Sequence, residues 1–193
     1  MSSRKLKATR NKLSYVKQPT DISLVTQVAV FRNRKAFDRL VVKYQSPIRR
    51  FFLAQTGGDA QLSDDLAQDT FVKAYTNITH FRGLSSFSTW LYRIAYNTFY
   101  DYVRHHKPTG NIDTPGILAA KAAHVDSGLK LDLQHALRIL SPKERLCVTL
   151  QLIEGQRIDK IVAITGMAEG TVKSHLSRGK QKLTVYLKQN GYD

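Results

Sequence analysis

The chain has 193 residues, with 30 Lys and Arg against 15 Asp and Glu, a formal charge of +15 and a pI near 10.0. A surplus this large favours a polyanionic partner, nucleic acid or an acidic membrane surface, and no run approaches the roughly 20 apolar residues of a membrane span. A hydrophobic fraction of 42% suffices for one or two ordinary packed cores, and the single cysteine, Cys147, excludes an internal disulfide and fits a reducing cytoplasm.

Residues 1–22 form a basic extension. Arg4, Lys5, Lys7, Arg10, Lys12 and Lys17 all precede the first acid, Asp21, and few core-forming residues accompany them. That composition predicts a solvated disordered tail, with nonspecific binding to DNA phosphates as the functional alternative. No apolar stretch of the signal-peptide kind follows the basic residues, so secretion is not expected.

From Ser23 to Lys107 the apolar residues keep helical time. Leu24, Val28 and Phe31 share one predicted face. Phe37, Leu40, Val41, Tyr44, Ile48, Phe51 and Phe52 trace a second stripe, interrupted by Pro47. Gln55–Asp59 reads as a turn, and Ser63 as the N-cap of a third helix that buries Ala67, Thr70, Phe71, Ala74 and Tyr75. On that helix Asp65, Gln68, Asp69 and Val72 fall on one narrow outward stripe. An acidic stripe is ordinarily a solvated face. In a chain of charge +15 it also suits a basic partner surface.

Ser86 is positioned to cap a long helix that runs to about His106 and stops at Pro108. This helix is aromatic: Phe87, Trp90, Tyr92, Tyr96, Phe99, Tyr100 and Tyr102, with Arg82, Arg93 and Arg104 nearby. One face cannot bury every ring. Rings beside cations make a platform for unstacked bases, at about 1–3 kcal/mol per stacked base; the alternative is that most of the rings are core.

Between Pro108 and Lys130 the periodicity decays among prolines and glycines, which predicts a flexible linker over 108–130. Its reach is roughly 75 Å at about 3.3 Å per residue. Two domains so joined can occupy DNA sites more than one helical turn apart, about 34 Å. Helices resume at Leu131, with Leu133, Ala136, Leu137 and Leu140 on one face. Ser141-Pro-Lys-Glu144 is a capping box with proline at the first helical position.

Ile158–Arg178 reads as two short helices broken at Gly166, the second basic and without an acid from Gly170 to Tyr192. This is the pattern of a helix-turn-helix, whose second helix enters the DNA major groove. Ile158, Ile161, Val162, Met167, Val172 and Leu176 have the spacing to bury one another. Thr171, Lys173, Ser174, Ser177 and Arg178 then point outward. Amides near Glu169–Thr171 can hold a phosphate. Arg178 has the fork that reads guanine O6 and N7. His175 and Lys182 complete the candidate DNA-binding set on this helix.

Catalytic signatures are weak. The six histidines lack metal-ligand spacing, and one cysteine cannot build a zinc site. There is no Walker A loop or Gly-x-Ser-x-Gly elbow. Asp64, Asp65 and Asp69 make at most a partial magnesium cluster, so an enzyme is not expected, nor a metal or other cofactor. The class is all-α, in two helical domains.

The order of these features resembles bacterial RNA polymerase sigma factors. Asp64–Tyr75 looks like region 2.2, Phe81-Arg-Gly and Phe87–Asn97 like regions 2.3 and 2.4, and Leu140–Arg145 with Gly166–Arg178 like region 4. Two such domains on a short linker are similar to the extracytoplasmic-function (ECF) subfamily. The resemblance implies a sigma region 2 over 23–107, for core polymerase binding and −10 melting, and a sigma region 4 over 131–190 for the −35 element. It implies that Asp65, Gln68, Asp69 and Val72 dock on the clamp coiled coil of the polymerase β′ subunit, with the β flap as a further partner surface. It implies that Arg82, Ser86, Phe87, Trp90, Arg93, Tyr96 and Asn97 act on the single-stranded −10 element. An anti-sigma factor is an implied candidate partner, and the cytoplasm, at the nucleoid when in holoenzyme, the implied location. A stand-alone helix-turn-helix regulator of duplex DNA is the alternative.

Magnitudes fit a polymerase-dependent role. Opening about ten base-pair steps costs on the order of 14 kcal/mol at roughly 1.4 each, whereas a base pocket returns only about 1–3. Some positions depart from the family pattern: Ala168 for proline, Val162-Ala163 for Ala-Glu, and His175 and Gly179 for arginine and alanine. These bear on which −35 sequence is read.

Overall fold

The computed structural model describes residues 20–106 and 128–192. The basic extension, apart from its last residues, and the linker up to residue 127 lie outside them. All regular structure among the described residues is helical.

Helix α1 (Asp21–Phe31) starts on Thr20, whose side chain accepts from the Ser23 amide, and buries Leu24, Val25 and Val28. Phe31 does not share that face; it is 73% exposed. It lies in the last position before Arg32, whose left-handed φ of 53° turns the chain away. Helix α2 (Arg34–Gln55) runs unbroken through Pro47. An internal proline costs about 3 kcal/mol. Leu40 and Tyr44 before it, and Ile48, Phe51 and Phe52 after it, are all buried, each contributing about 1.5–3 kcal/mol. Packing on both sides therefore outweighs the break that the proline predicts.

Helix α3 (Ala60–Thr76) begins three residues before Ser63, on Asp59, whose carboxylate accepts from the Leu62 amide. Ser63 is instead buried inside the helix, its hydroxyl meeting the Asp59 carbonyl and the Thr56 hydroxyl. The buried face is Leu66, Ala67, Thr70 and Ala74. Phe71 is only half-buried, and Tyr75 is exposed at 37%. The small residues let α3 lie close to its neighbours, and the two rings fall at the rim, Tyr75 edge-on to Phe37 at 4.9 Å.

After a 3-10 turn at Ile78–His80, helix α4 (Phe87–His105) is capped by Ser86, which accepts from the Thr89 amide at 3.1 Å. Helix α5 (Gly128–Arg138) begins before the expected Leu131. Ala136, Leu137 and Leu140 are buried, while Leu133 is 50% exposed because α5 packs along only part of that stripe. Helix α6 (Pro142–Val148) carries the full capping box of Ser141 and Glu144, then passes into a π turn at Thr149–Ile153. Helices α7 (Ile158–Thr165) and α8 (Glu169–Gln189) complete the chain.

The two halves are not held apart. The apolar core runs without a break from α1–α4 into α6–α8, with α4 against α7 and α2 against α6.

Candidate nucleic-acid interface

Gly166 ends α7 with φ 73°, a left-handed conformation that only glycine adopts without strain. Ile161, Ile164, Val172 and Leu176 are fully buried in the corner, with Ile158, Val162 and Met167 packed around them. Ile164 was missing from the sequence-derived set. The corner fixes the face that α8 turns outward. Thr171, Lys173, Ser174, Ser177 and Arg178 are all exposed on it. No side chain caps the helix start at Ala168, so its first amides remain open to an anionic group. Lys173 pairs with Glu169 at 2.6 Å, and the Arg178 Nε donates to the Ser174 carbonyl at 3.3 Å. Both pairings are exposed and exchangeable.

Two members of the sequence-derived set sit differently. Lys182 turns its ammonium onto the Glu144 carboxylate, at 3.2 and 2.8 Å, tying α8 to α6. His175 is half-buried, its Nδ1 without a partner. Burial, then Arg178 and Lys143, lower its pKa against the opposing pull of Glu144. A neutral ring offers hydrogen bonds rather than charge to DNA. Glu144 shows the converse balance: burial raises its pKa, but the Lys182 ammonium and the Ser141 amide and hydroxyl outweigh burial and hold it below the usual value.

At the start of α4, Phe81, Phe87 and Trp90 form a ring triad, with centroids 5.4 to 5.9 Å apart. Phe87 is buried at 2% exposure and lies beneath Trp90, which keeps a half-exposed face. Phe87 therefore packs under that half-exposed ring and offers no surface of its own. Phe81, part of the region 2.3 resemblance but not among the candidate site residues, is the third member of the triad. Arg82, next to Phe81 in the chain, and Arg93 and Asn97, further along α4 than Trp90, are exposed. The Ser86 hydroxyl is engaged with Thr89 in capping. Tyr96 lies half-buried against Tyr100 at 4.5 Å, and burial followed by the neighbouring Cys147 raises its pKa. Of the other rings on α4, Tyr92 and Phe99 are buried, while Tyr100 and Tyr102 are only half-buried against the core.

On α3, Asp65, Gln68, Asp69 and Val72 are all exposed on one face. Gln68 and Val72 also border a groove of about 430 Å³ with Arg34, Phe37, Asp38, Val41, Phe71 and Tyr75. Among the described residues no cluster of His, Cys, Asp or Glu could hold a metal ion, and no helix is long and apolar enough to cross a membrane.

Comparison with known proteins follows the same division of the chain. The profile described as Sigma-70 region 2 matches residues 40–109, and that described as Sigma-70, region 4 matches residues 130–183. The RNA polymerase sigma-H factor of Pseudomonas aeruginosa is 30% identical over 166 residues, 78% of this chain and 86% of that protein. The ECF RNA polymerase sigma-E factor of Salmonella typhimurium is 30% identical over 187 residues, 86% of this chain and 93% of that protein. Among solved structures, the sigma factor RpoE of Bartonella quintana, in complex with the anti-sigma factor NepR, aligns with a TM-score of 0.64 at 28% identity. That alignment covers 80% of this chain and 98% of that one.

Proposed function

Because this chain belongs to the ECF group of bacterial RNA polymerase sigma factors, we propose a division of its surface among three partners. The protein itself is a promoter-specificity subunit. It binds core polymerase and directs transcription initiation. Sigma factors are non-catalytic initiation factors, so its chemistry is recognition.

The α8 face of Thr171, Lys173, Ser174, Ser177 and Arg178 reads the duplex −35 element. Arg178 meets a base edge, and the open amides at the helix start meet a phosphate. His175 adds a neutral hydrogen bonder, and Lys182 serves mainly to hold the helix. The Trp90 platform, together with the exposed Arg82, Arg93 and Asn97, holds the opened −10 strand. Asp65, Gln68, Asp69 and Val72 dock on the β′ clamp. Regions 2 and 4 span 23–107 and 131–190, joined by 108–130, and the protein works in the cytoplasm. Its likeness to a sigma factor solved with an anti-sigma factor supports a partner of that class here.

The observation that carries this reading is the coexistence of a basic recognition face on α8, with no acid beyond Glu169 in its first turn, and an exposed acidic face on α3 in a chain of charge +15. In a stand-alone DNA binder the second would be a solvated face without a partner. The test is transcription from genomic promoter fragments with purified core polymerase. Specific initiation is expected. If none occurs on any fragment while the protein alone footprints duplex DNA, the stand-alone regulator replaces this reading.

A further inference from the structure

The groove between α2 and α3 is apolar inside and acidic at its rim. Its volume, about 430 Å³, falls within the ~300–1,000 Å³ of ordinary binding pockets. Phe37, Val41, Phe71, Val72 and Tyr75 form its walls, and Val72 is 55% exposed. Asp38 of α2 stands in the lining, and Asp65 and Asp69 flank it on the exposed face that Gln68 and Val72 share. Asp38 and Asp69 make no ion pair among the described residues, and Asp65 accepts only from Gln61, at 3.1 Å. Arg34 is the cation of the lining. Lys35 and Arg39 are exposed on the outer side of α2, so an incoming cation is favoured on the α3 side.

The N-terminal extension joins the fold beside this groove. Asp21, the first residue of α1, bonds the Lys43 ammonium at 2.5 Å and the Tyr44 hydroxyl at 2.6 Å. Val41 is one helical turn from Tyr44, about 4.5 Å along α2 and about 60° around it. Upstream of Thr20 lie Leu13, Tyr15 and Val16, among Arg4, Lys5, Lys7, Arg10, Lys12 and Lys17 and no acid. At about 3.3 Å per residue, Val16 reaches roughly 13 Å from Thr20, Leu13 roughly 23 Å and Arg4 roughly 53 Å. Helix α2 is only about 10–12 Å across. The apolar residues can therefore enter the groove, and the cations beyond them can meet Asp65 and Asp69. The extension carries what the groove lacks, apolar side chains and positive charge, on a tether of sufficient length.

We propose that residues 2–17 dock in the α2–α3 groove of their own chain and mask the face that binds polymerase. Leu13, Tyr15 and Val16 fill the groove, and the cations face Asp38, Asp65 and Asp69. The docking rests on the groove, the charges and the tether; its consequence for transcription rests on the β′-clamp reading above. A short tether gives an effective concentration of about 1 mM. A segment whose trans dissociation constant is about 0.1 mM is then docked in about ten molecules of eleven, and apparent polymerase affinity falls about tenfold. Salt weakens this docking, because the charges that meet are exposed.

The test compares the full chain with one lacking residues 2–17, which keeps Thr20 and with it the cap of α1. A fluorescent peptide of residues 2–17 is titrated into the shortened chain, and so is the same peptide carrying Leu13→Ser, Tyr15→Ser and Val16→Ser. Anisotropy gives the affinity of both chains for core polymerase. The natural peptide should bind with a dissociation constant of about 0.1 mM at low salt. The serine peptide should bind about tenfold more weakly, and Val72→Lys in the shortened chain should weaken the natural peptide likewise. The shortened chain should bind polymerase about tenfold more tightly than the full chain. No peptide binding, a serine peptide as tight as the natural one, or no effect of Val72→Lys overturns docking in the groove. Peptide binding with equal or weaker polymerase affinity in the shortened chain overturns the masking. If neither chain binds polymerase, the sigma-factor reading fails and the masking with it, and the peptide titration still decides the docking.

Discussion

Arg178 is the residue on which sequence specificity should turn, because its guanidinium is exposed on the outward face of α8. Arg178→Ala should cost about 1–3 kcal/mol at one −35 base pair and relax preference there, measured by binding to a panel of single-base promoter variants. An equal loss on every sequence would make it a phosphate contact. One position later, helix propensity and packing oppose each other. Glycine within a helix costs about 1 kcal/mol relative to alanine, so Gly179→Ala should stabilise a bare helix. In the fold, a Cβ at 179 would lie 2.8 Å from Cγ2 of Val148, and overpacking of that kind costs about 1–3 kcal/mol. Gly179→Ala should therefore lower the melting temperature. A rise would mean that α6 and α8 part easily.

At the scale of the helix, α3 and the α6–α8 clamp make separate predictions. Asp65→Lys reverses one charge on an exposed face and leaves the α3 core untouched. It should weaken core-polymerase binding tenfold or more, about 1.4 kcal/mol, with no change in thermal stability. Unchanged affinity would remove α3 as the docking face. The clamp depends on Glu144, whose pKa is depressed in the fold. A depressed carboxylate contributes stability above its unfolded pKa, about 4.3, and that stability is lost as pH falls through the folded value. Melting temperature should therefore drop below about pH 4.5, and Glu144→Gln should be less stable at pH 7 yet flatter across the acid range. Parallel curves for the two proteins would assign the acid loss to other carboxylates.

For the molecule as a whole, Cys147 reports on the common core. It is fully buried, and burial lifts its thiol to about 11, which leaves little thiolate at neutral pH. Labelling by a maleimide at pH 7.5 should run at least about a hundredfold slower in the native chain than after denaturation. Fast labelling of the native chain would show that this core opens readily.

Much of the local design was legible from the sequence alone. Thr171, Lys173, Ser174, Ser177 and Arg178 were placed on one exposed face, and Gly166, Ser86 and Ser141 were read as turn and caps. Each rests on a signal confined to a few residues: helical period, a side-chain oxygen at a helix start, a glycine where φ must be positive. Misreadings arose where two local signals competed. Pro47 argued for a break, but the buried side chains on both sides kept α2 whole. Ser63 looked like a cap, but Asp59 stood at the actual helix start. What only the tertiary structure decided were pairings across the chain. Glu154 meets Arg50 over a separation of 104 residues, Lys182 holds Glu144, Phe87 underlies Trp90, and Val148 leaves no room beside Gly179. Nothing local distinguishes a glutamate destined for burial between two domains from one in water, because its environment is made by residues that approach only when the chain folds.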